Sequence, residues 1–288
     1  MTDLLLDPFA SSFTQRAALV CLLVALLAPS IGVWIIHRQL SYMADAMSHS
    51  TLVGVALTFA WFGRGAILIG ALAAGLTVTL IIAYFAQRST LPRDAVIAVV
   101  ASGFFASGII ALSRIDTSVS LNHLLFGQLL TVTSTDLQIT LVLVAIVLAY
   151  VTINFRDLSF VTLDPLHARQ VGIAVARQTS VILTLIAMSV VVCISTAGIV
   201  LTVSLLIGPA LSARLVTSTI AQQVLAGTGL ALFQVFAGFV MSYHLDLAPG
   251  PTIAVLGTAI FLLTHLAASL MRTDLRTARH PRRWPVKP

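Results

Sequence analysis

Glutamate is missing from this chain: all ten acidic residues are aspartate. Lysine occurs once, at Lys287, so fifteen of the sixteen basic residues are arginine. Charge of either sign is scarce, at 9% of 288 residues against roughly 25% in a soluble globular domain. Each shortage excludes something. Without glutamate there is no H-E-x-x-H helix, so a zinc protease of that type is ruled out. No G-x-x-x-x-G-K-[ST] occurs, so the chain hydrolyses no ATP itself. Cysteine appears only as Cys21 and Cys193, in separate apolar runs, which leaves neither a disulfide framework nor a thiolate metal site.

What is abundant is hydrocarbon. The chain is 58% hydrophobic with a mean hydropathy of +1.03, the composition of an all-α polytopic membrane protein. A spanning helix needs about 20 apolar residues. Nine windows qualify: 17–36, 40–62, 65–86, 94–112, 134–155, 179–196, 198–216, 221–244 and 251–271. The sixth and seventh are short and abut, so they form either two spans or a broken or re-entrant pair, the latter reducing the count to eight. Residues 1–16 lack a basic leader and read as an interfacial segment, 17–271 as the membrane domain, and 272–288 as a basic, disordered cytoplasmic tail at the lipid surface.

The net charge of +6 reports orientation rather than nucleic-acid binding. With the N-terminus out and the C-terminus in, thirteen of the sixteen Arg and Lys residues fall in inner segments; only Arg16, Arg64 and Arg114 remain outside.

Against this background the stretch YMADAMSHSTLVG (42–54) stands out. Asp45 and His49 are the only Asp, Arg, Lys or His between Arg38 and Arg64. Residues four apart on a helix differ by about 40° in direction and 6 Å in height, so the two share a face. Ser41, Ala44, Ser48 and Ala56 on that side or its flanks would admit another helix closely. A carboxylate and an imidazole suit manganese, iron, zinc, cobalt or nickel; Met43 and Met47 point off the Asp/His line. The structural alternative is an Asp–His clasp between helices. Ionisable groups in a span are costly and mark function by default. Two ligands hold an ion weakly, whereas a two-fold dimer with this helix at its axis supplies four.

These residues carry a resemblance. LSYMADAMSHSTLVGVAL resembles the signature of the permease subunits of manganese/zinc ABC importers, the ABC-3 type. LNHLLFGQLL (121–130) resembles that family's external segment, LDPLHARQVGI (163–173) its cytoplasmic loop, AGIVLTVSLLIGPALSARLVT (197–217) a membrane span and SYHLDLAPGPTIAV (242–255) the closing segment. GPALSAR departs from the family's usual P-A-A-T-A run. The resemblance implies a type II importer-like fold in a bacterial inner membrane and passage of Mn2+ or Zn2+, with no permanently bound cofactor. It implies as partners a second permease copy, two cytoplasmic ATPases that carry the ATP, an extracytoplasmic metal-binding protein and membrane lipid, but no nucleic acid. Asp45 and His49 match the family's intramembrane metal ligands. Both metals accept Asp and His, and manganese is preferred by a narrow margin.

The loop 156–178 is readable on its own terms. Asp164 suits an N-cap, Pro165 the first helical position and Gly172 the residue past the end. This predicts a helix of about two turns lying parallel to the membrane, with Leu166, His167, Ala168, Arg169 and Gln170. By resemblance it is the coupling helix of an ATPase partner. His123, His244 and Asp246 are external; their functional reading is an ion-admitting or delivery-protein contact, and for His244 and Asp246 an ordinary solvated loop is the preferred one. His265 is assigned to a helix–helix hydrogen bond. A chelate permease, for a siderophore or cobalamin, would need a wide cavity rather than bare ligands. An ion-coupled secondary transporter would need several intramembrane acids, and only Asp45 lies well inside a span, Asp94 and Asp136 being at window edges.

The charge asymmetry predicts that residues 114–133 face outward and 156–178 inward. Single cysteines at Ser118 and Ser159, in a background without Cys21 and Cys193, test it with an impermeant thiol reagent on intact cells. Labelling at 118 alone is expected; labelling at 159 alone would reverse the topology.

Overall fold

The computed structural model describes residues 12–63, 67–88, 92–114 and 133–278. The described residues form helices and no strands, as a low-dielectric surrounding demands: a helix satisfies its own backbone groups. In chain order these are α1 (Ser12–His37), α2 (Ser41–Phe62), α3 (Ile67–Arg88), α4 (Arg93–Ser113) and α5 (Ser134–Ile153). They continue as α6 (Phe155–Leu163), α7 (Pro165–Gln170), α8 (Val175–Val216), α9 (Ile220–His244) and α10 (Pro249–Ala278). Seven of them are long and apolar enough to cross a membrane. The 22-residue α2 is not among the seven, because Ser41, Asp45, Ser48, His49, Ser50 and Thr51 dilute its hydropathy.

All nine apolar windows lie on these helices, with shifted edges. Residues 12–16, expected at the interface, are already helical and continuous with α1. The expected disordered tail is helical as far as Ala278. The loop 156–178 carries an unforeseen nine-residue helix, α6, and its last residues belong to α8.

The sixth and seventh windows merge into α8, whose 42 residues would run about 63 Å if straight. They do not. Thr179, near its start, takes a hydrogen bond from Arg38, while Gln223, just beyond its end, bonds His37. Both ends of α8 therefore lie beside the α1–α2 connection. The chain reverses at Gly198, whose φ of 80° and ψ of 168° break the helix. A positive φ of this kind is open to glycine and strained for other residues. The pair is thus a helical hairpin, with Thr196, Ala197, Gly198 and Ile199 buried at its apex.

α1 and α8 form the enclosed centre of the bundle, with 78% and 67% of their apolar windows buried, against 39% or less for the other five candidate spans. α2, α3 and α4 pack together on one side; the second arm of α8, α9 and α10 pack on the other. Small residues set the spacing. At Gly32 of α1 a Cβ would overlap the Leu206 carbonyl oxygen of α8 and press on Ala210. Buried polar groups are answered internally: Gln234 of α9 donates to Ser204 Oγ of α8 at 3.1 Å and to the Ile253 carbonyl of α10 at 3.0 Å.

Gly32→Ala should therefore push α1 off α8 and cost about 1–3 kcal/mol, the usual range for overpacking. Thermal unfolding of the purified protein should report a lowered midpoint; an unchanged midpoint would refute the close approach.

Candidate metal site and coupling helix

α2 begins three residues after Arg38 and buries much of its N-terminal half. Met43, Ala44, Ala46, Met47, Ser48, Ser50, Thr51, Leu52, Gly54 and Ala56 are buried within the chain. Four of its hydroxyls, on Ser48, Ser50, Thr51 and Thr58, are occupied by its own backbone. Ser48 Oγ donates to the Ala44 carbonyl at 3.1 Å, Ser50 Oγ to Ala46 at 2.7 Å and Thr51 Oγ1 to Ser48 at 2.9 Å. Asp45 and His49 are left on the open side, with side chains 41% and 38% accessible. Tyr42, Leu57 and Trp61 are exposed on the same helix.

The shared face expected from helical arithmetic is present. His49 Nε2 and Asp45 Oδ1 stand 3.8 Å apart, too far for a hydrogen bond. Two ligand atoms on one ion, each about 2.0–2.2 Å from it, stand about 3.4 Å apart in a tetrahedral arrangement. The observed gap is close to that and argues against a closed clasp. The His49 ring is steadied by Phe105 of α4, edge to face at 5.5 Å. Met47 is turned inward and accepts from Thr79 Oγ1 at 3.7 Å, so no sulfur from it joins the pair. The close approach of another helix expected at Ala44, Ser48 and Ala56 is met within the chain, where all three are buried.

Among the described residues no group of three or more His, Cys, Asp or Glu side chains converges. The described residues thus offer one oxygen and one nitrogen on this face and no third such ligand beside them. His123 lies outside the described residues. His244 and Asp246 are exposed at the far end of α9, some 25 residues from the His37 end; Asp246 has φ 52° in the turn to α10. His265 corrects another expectation: it sits on an exposed face of α10 with its ring 6.2 Å from Phe261, not in a helix–helix hydrogen bond.

The second constellation is at the opposite end from His244. Asp164 caps α7, its Oδ1 accepting from the backbone N–H of Leu166 at 3.1 Å and of His167 at 3.0 Å. Pro165 occupies the first turn, where a missing N–H costs nothing, and Gly172 follows at φ 83°. Ala168 is the buried contact of the helix, while Leu166 is exposed and His167 and Arg169 line the last turn. α6 and α7 are joined by stacking, with the Arg156 guanidinium 5.5 Å from the Phe160 ring and Phe160 5.8 Å from the His167 ring.

A feature that spacing did not expose is the three-residue α1–α2 connection. Arg38 Nε donates to Thr162 Oγ1 at 3.1 Å and Nη2 to the Val161 carbonyl at 3.3 Å, both on α6. Its Nη1 donates to Thr179 Oγ1 of α8 at 3.4 Å. Burial lowers its pKa from the usual arginine value. Gln39 beside it has a left-handed φ of 57°. In the sequence Arg38 registers only as one orientation charge, since its partners lie more than 120 residues away.

Comparison with known proteins adds a family. The model of the ABC 3 transport family matches residues 10–268. The manganese transport system membrane protein MntC of Listeria monocytogenes is 33% identical over 257 residues, covering 89% of this chain and 91% of that protein. The chelated iron transport system membrane protein YfeD of Yersinia pestis is 31% identical, covering 91% and 87%. Among solved structures, PsaBC from Streptococcus pneumoniae in complex with Fab superposes with a TM-score of 0.83 at 30% identity, over 92% of this chain and 95% of that one.

Proposed function

The chain belongs to the ABC 3 transport family, and on that premise we propose that it is the permease subunit of an ATP-driven importer of divalent transition-metal ions, manganese ahead of zinc. It is a multi-pass membrane component of a metal transport system, not an enzyme. The observation that carries the reading is the pair Asp45 and His49 on the open face of α2, 3.8 Å apart and accessible. An oxygen and a nitrogen ligand suit a borderline-hard dication. The name of the Listeria relative points to manganese and that of the Yersinia relative to chelated iron. Bare ligands on an open helix face favour the ion over its chelate.

A second copy, packed about a two-fold axis beside α2, would bring two Asp and two His to one ion. That completes a transient tetrahedral site without any third ligand from the same chain. The capped α7 is the element offered to a cytoplasmic ATPase: six residues, one exposed leucine and a basic last turn. Two ATPases and an extracytoplasmic metal-binding protein complete the importer. The orientation with the N-terminus out and the C-terminus in puts α7 on the ATPase side.

Asp45→Ala and His49→Ala each delete two ligands per dimer and should reduce Mn2+ uptake per assembled complex by about a hundredfold, taking each lost ligand at about 1.4 kcal/mol. Asp45→Asn keeps an oxygen but leaves the dication less neutralised, and should lie between. Acidification should weaken binding, because a protonated imidazole cannot ligate. Competition of Mn2+ with Zn2+ and Fe2+ in the same vesicles ranks the cargo. Full transport by the His49→Ala complex would refute the ligand role.

Ala168→Trp, which overfills the buried contact of α7, and Gly172→Pro, which forbids the left-handed φ, should uncouple ATP hydrolysis from uptake while insertion persists. ATPase co-purification and normal uptake in both variants would refute the coupling role.

A further inference from the structure

Arg38 grips both helices that flank α7. It holds α6, which ends one residue before the Asp164 cap, through Val161 and Thr162. It holds α8, which starts after Gly172, through Thr179. Its own backbone belongs to the connection that starts α2, where the Leu40 N–H returns to the Ile35 carbonyl and the Ala44 N–H to that of Leu40. Asp45 lies only about 6 Å above the start of that helix, and His49 about 12 Å. No other described residue bonds α6, α8 and the base of α2 together through one side chain.

The bonding is of an unusual kind for a half-buried cation. Among the described residues no carboxylate lies within ion-pair distance of Arg38. Its partners are two hydroxyls and a carbonyl, at 3.1–3.4 Å. A guanidinium carries five donors in a rigid fork, so it can serve acceptors on two helices at once; an ammonium cannot match that geometry. A purely electrostatic anchor would face an aspartate, and a purely orienting charge would need no partners. Neighbouring His37, bonded to Gln223 Oε1 at 2.7 Å, holds α9 to the same connection.

We propose that Arg38 is a positioning residue that couples α7 to the metal pair: displacement of α6 and α8 by the ATPase is passed through its guanidinium to the base of α2, and so to Asp45 and His49. The inference rests on the transport reading above and adds to it the route by which the two constellations communicate.

The test uses the complete complex, permease with ATPase and binding protein, reconstituted in phospholipid vesicles with Mn2+ as cargo. ATP hydrolysed per Mn2+ taken up is measured for the wild type, Arg38→Lys, Arg38→Gln and the double variant Thr162→Val with Thr179→Val. The ratio should rise by about fivefold or more in Arg38→Gln, the lower end of typical coupling effects. Arg38→Lys and the double threonine variant should lie between it and the wild type, while Mn2+ retention without nucleotide stays at the wild-type level. The double variant keeps the arginine, so the ratio remains readable if Arg38→Gln fails to assemble. An unchanged ratio in both, or nucleotide-free Mn2+ retention falling in step with transport, would overturn the relay and leave a structural support. A wild-type complex without ATP-dependent Mn2+ uptake would instead overturn the transport reading itself, and the relay with it.

Discussion

Hydrocarbon offers a polar group no partner, and the cost of an unmet one there is several kcal/mol. In this chain the constraint is met by three devices at three scales. Hydroxyls bond back to the carbonyl three or four residues earlier, as Ser48, Ser50, Thr51, Thr79 and Thr202 do. Buried Gln234 bridges α8 and α10, and a Cβ at Gly257 would meet its amide. Arg38 spreads its donors over neutral acceptors on α6 and α8. Trp34 Nε1 and Ser189 Oγ are the described buried side-chain atoms left without a partner.

Set against that accounting, Asp45 and His49 are conspicuous. The hydroxyls of Ser48, Ser50 and Thr51 beside them are answered within the chain, yet this pair stands open, 3.8 Å apart. A polar pair of this kind is tolerated because it lies on a surface of the single chain. It becomes an interior site only where another surface covers it. On the proposed reading, assembly and metal handling are then one problem: the contact that would desolvate the pair is the contact that would complete its ligand set.

The parts legible in the sequence are those governed by local rules. Apolar length located the long helices, and the 100° step placed Asp45 and His49 on one face. Asp164, Pro165 and Gly172 marked the ends of α7 because caps act within a few residues. The parts that were not legible depend on distant partners. α6 was read as loop since its nine residues include Arg156 and Asp157 and cannot form an apolar window. The small size of Ala44, Ser48 and Ala56 says that a neighbouring helix is close, not which one; here it belongs to the same chain. The abutting windows 179–196 and 198–216 showed that this apolar run divides, but not that the turn rests on Gly198 alone, since glycine in an apolar run is ordinarily a packing residue. Arg38 needed Thr162 and Thr179 to be seen beside it.

That reversal bears on how the chain can change over time. Most helical hairpins turn through an exposed loop, where insertions, cuts and new termini are tolerated. α8 turns without one: Thr196, Ala197, Gly198 and Ile199 are enclosed, and the glycine alone absorbs the change of direction. The turn from α9 to α10 is different, with His244, Leu245, Asp246 and Leu247 all exposed. Extra sequence, an epitope or a permuted terminus can be accommodated between α9 and α10, whereas the middle of α8 accepts none. The α8 hairpin is therefore also the least editable of the described segments, and variation in length is left to the other connections.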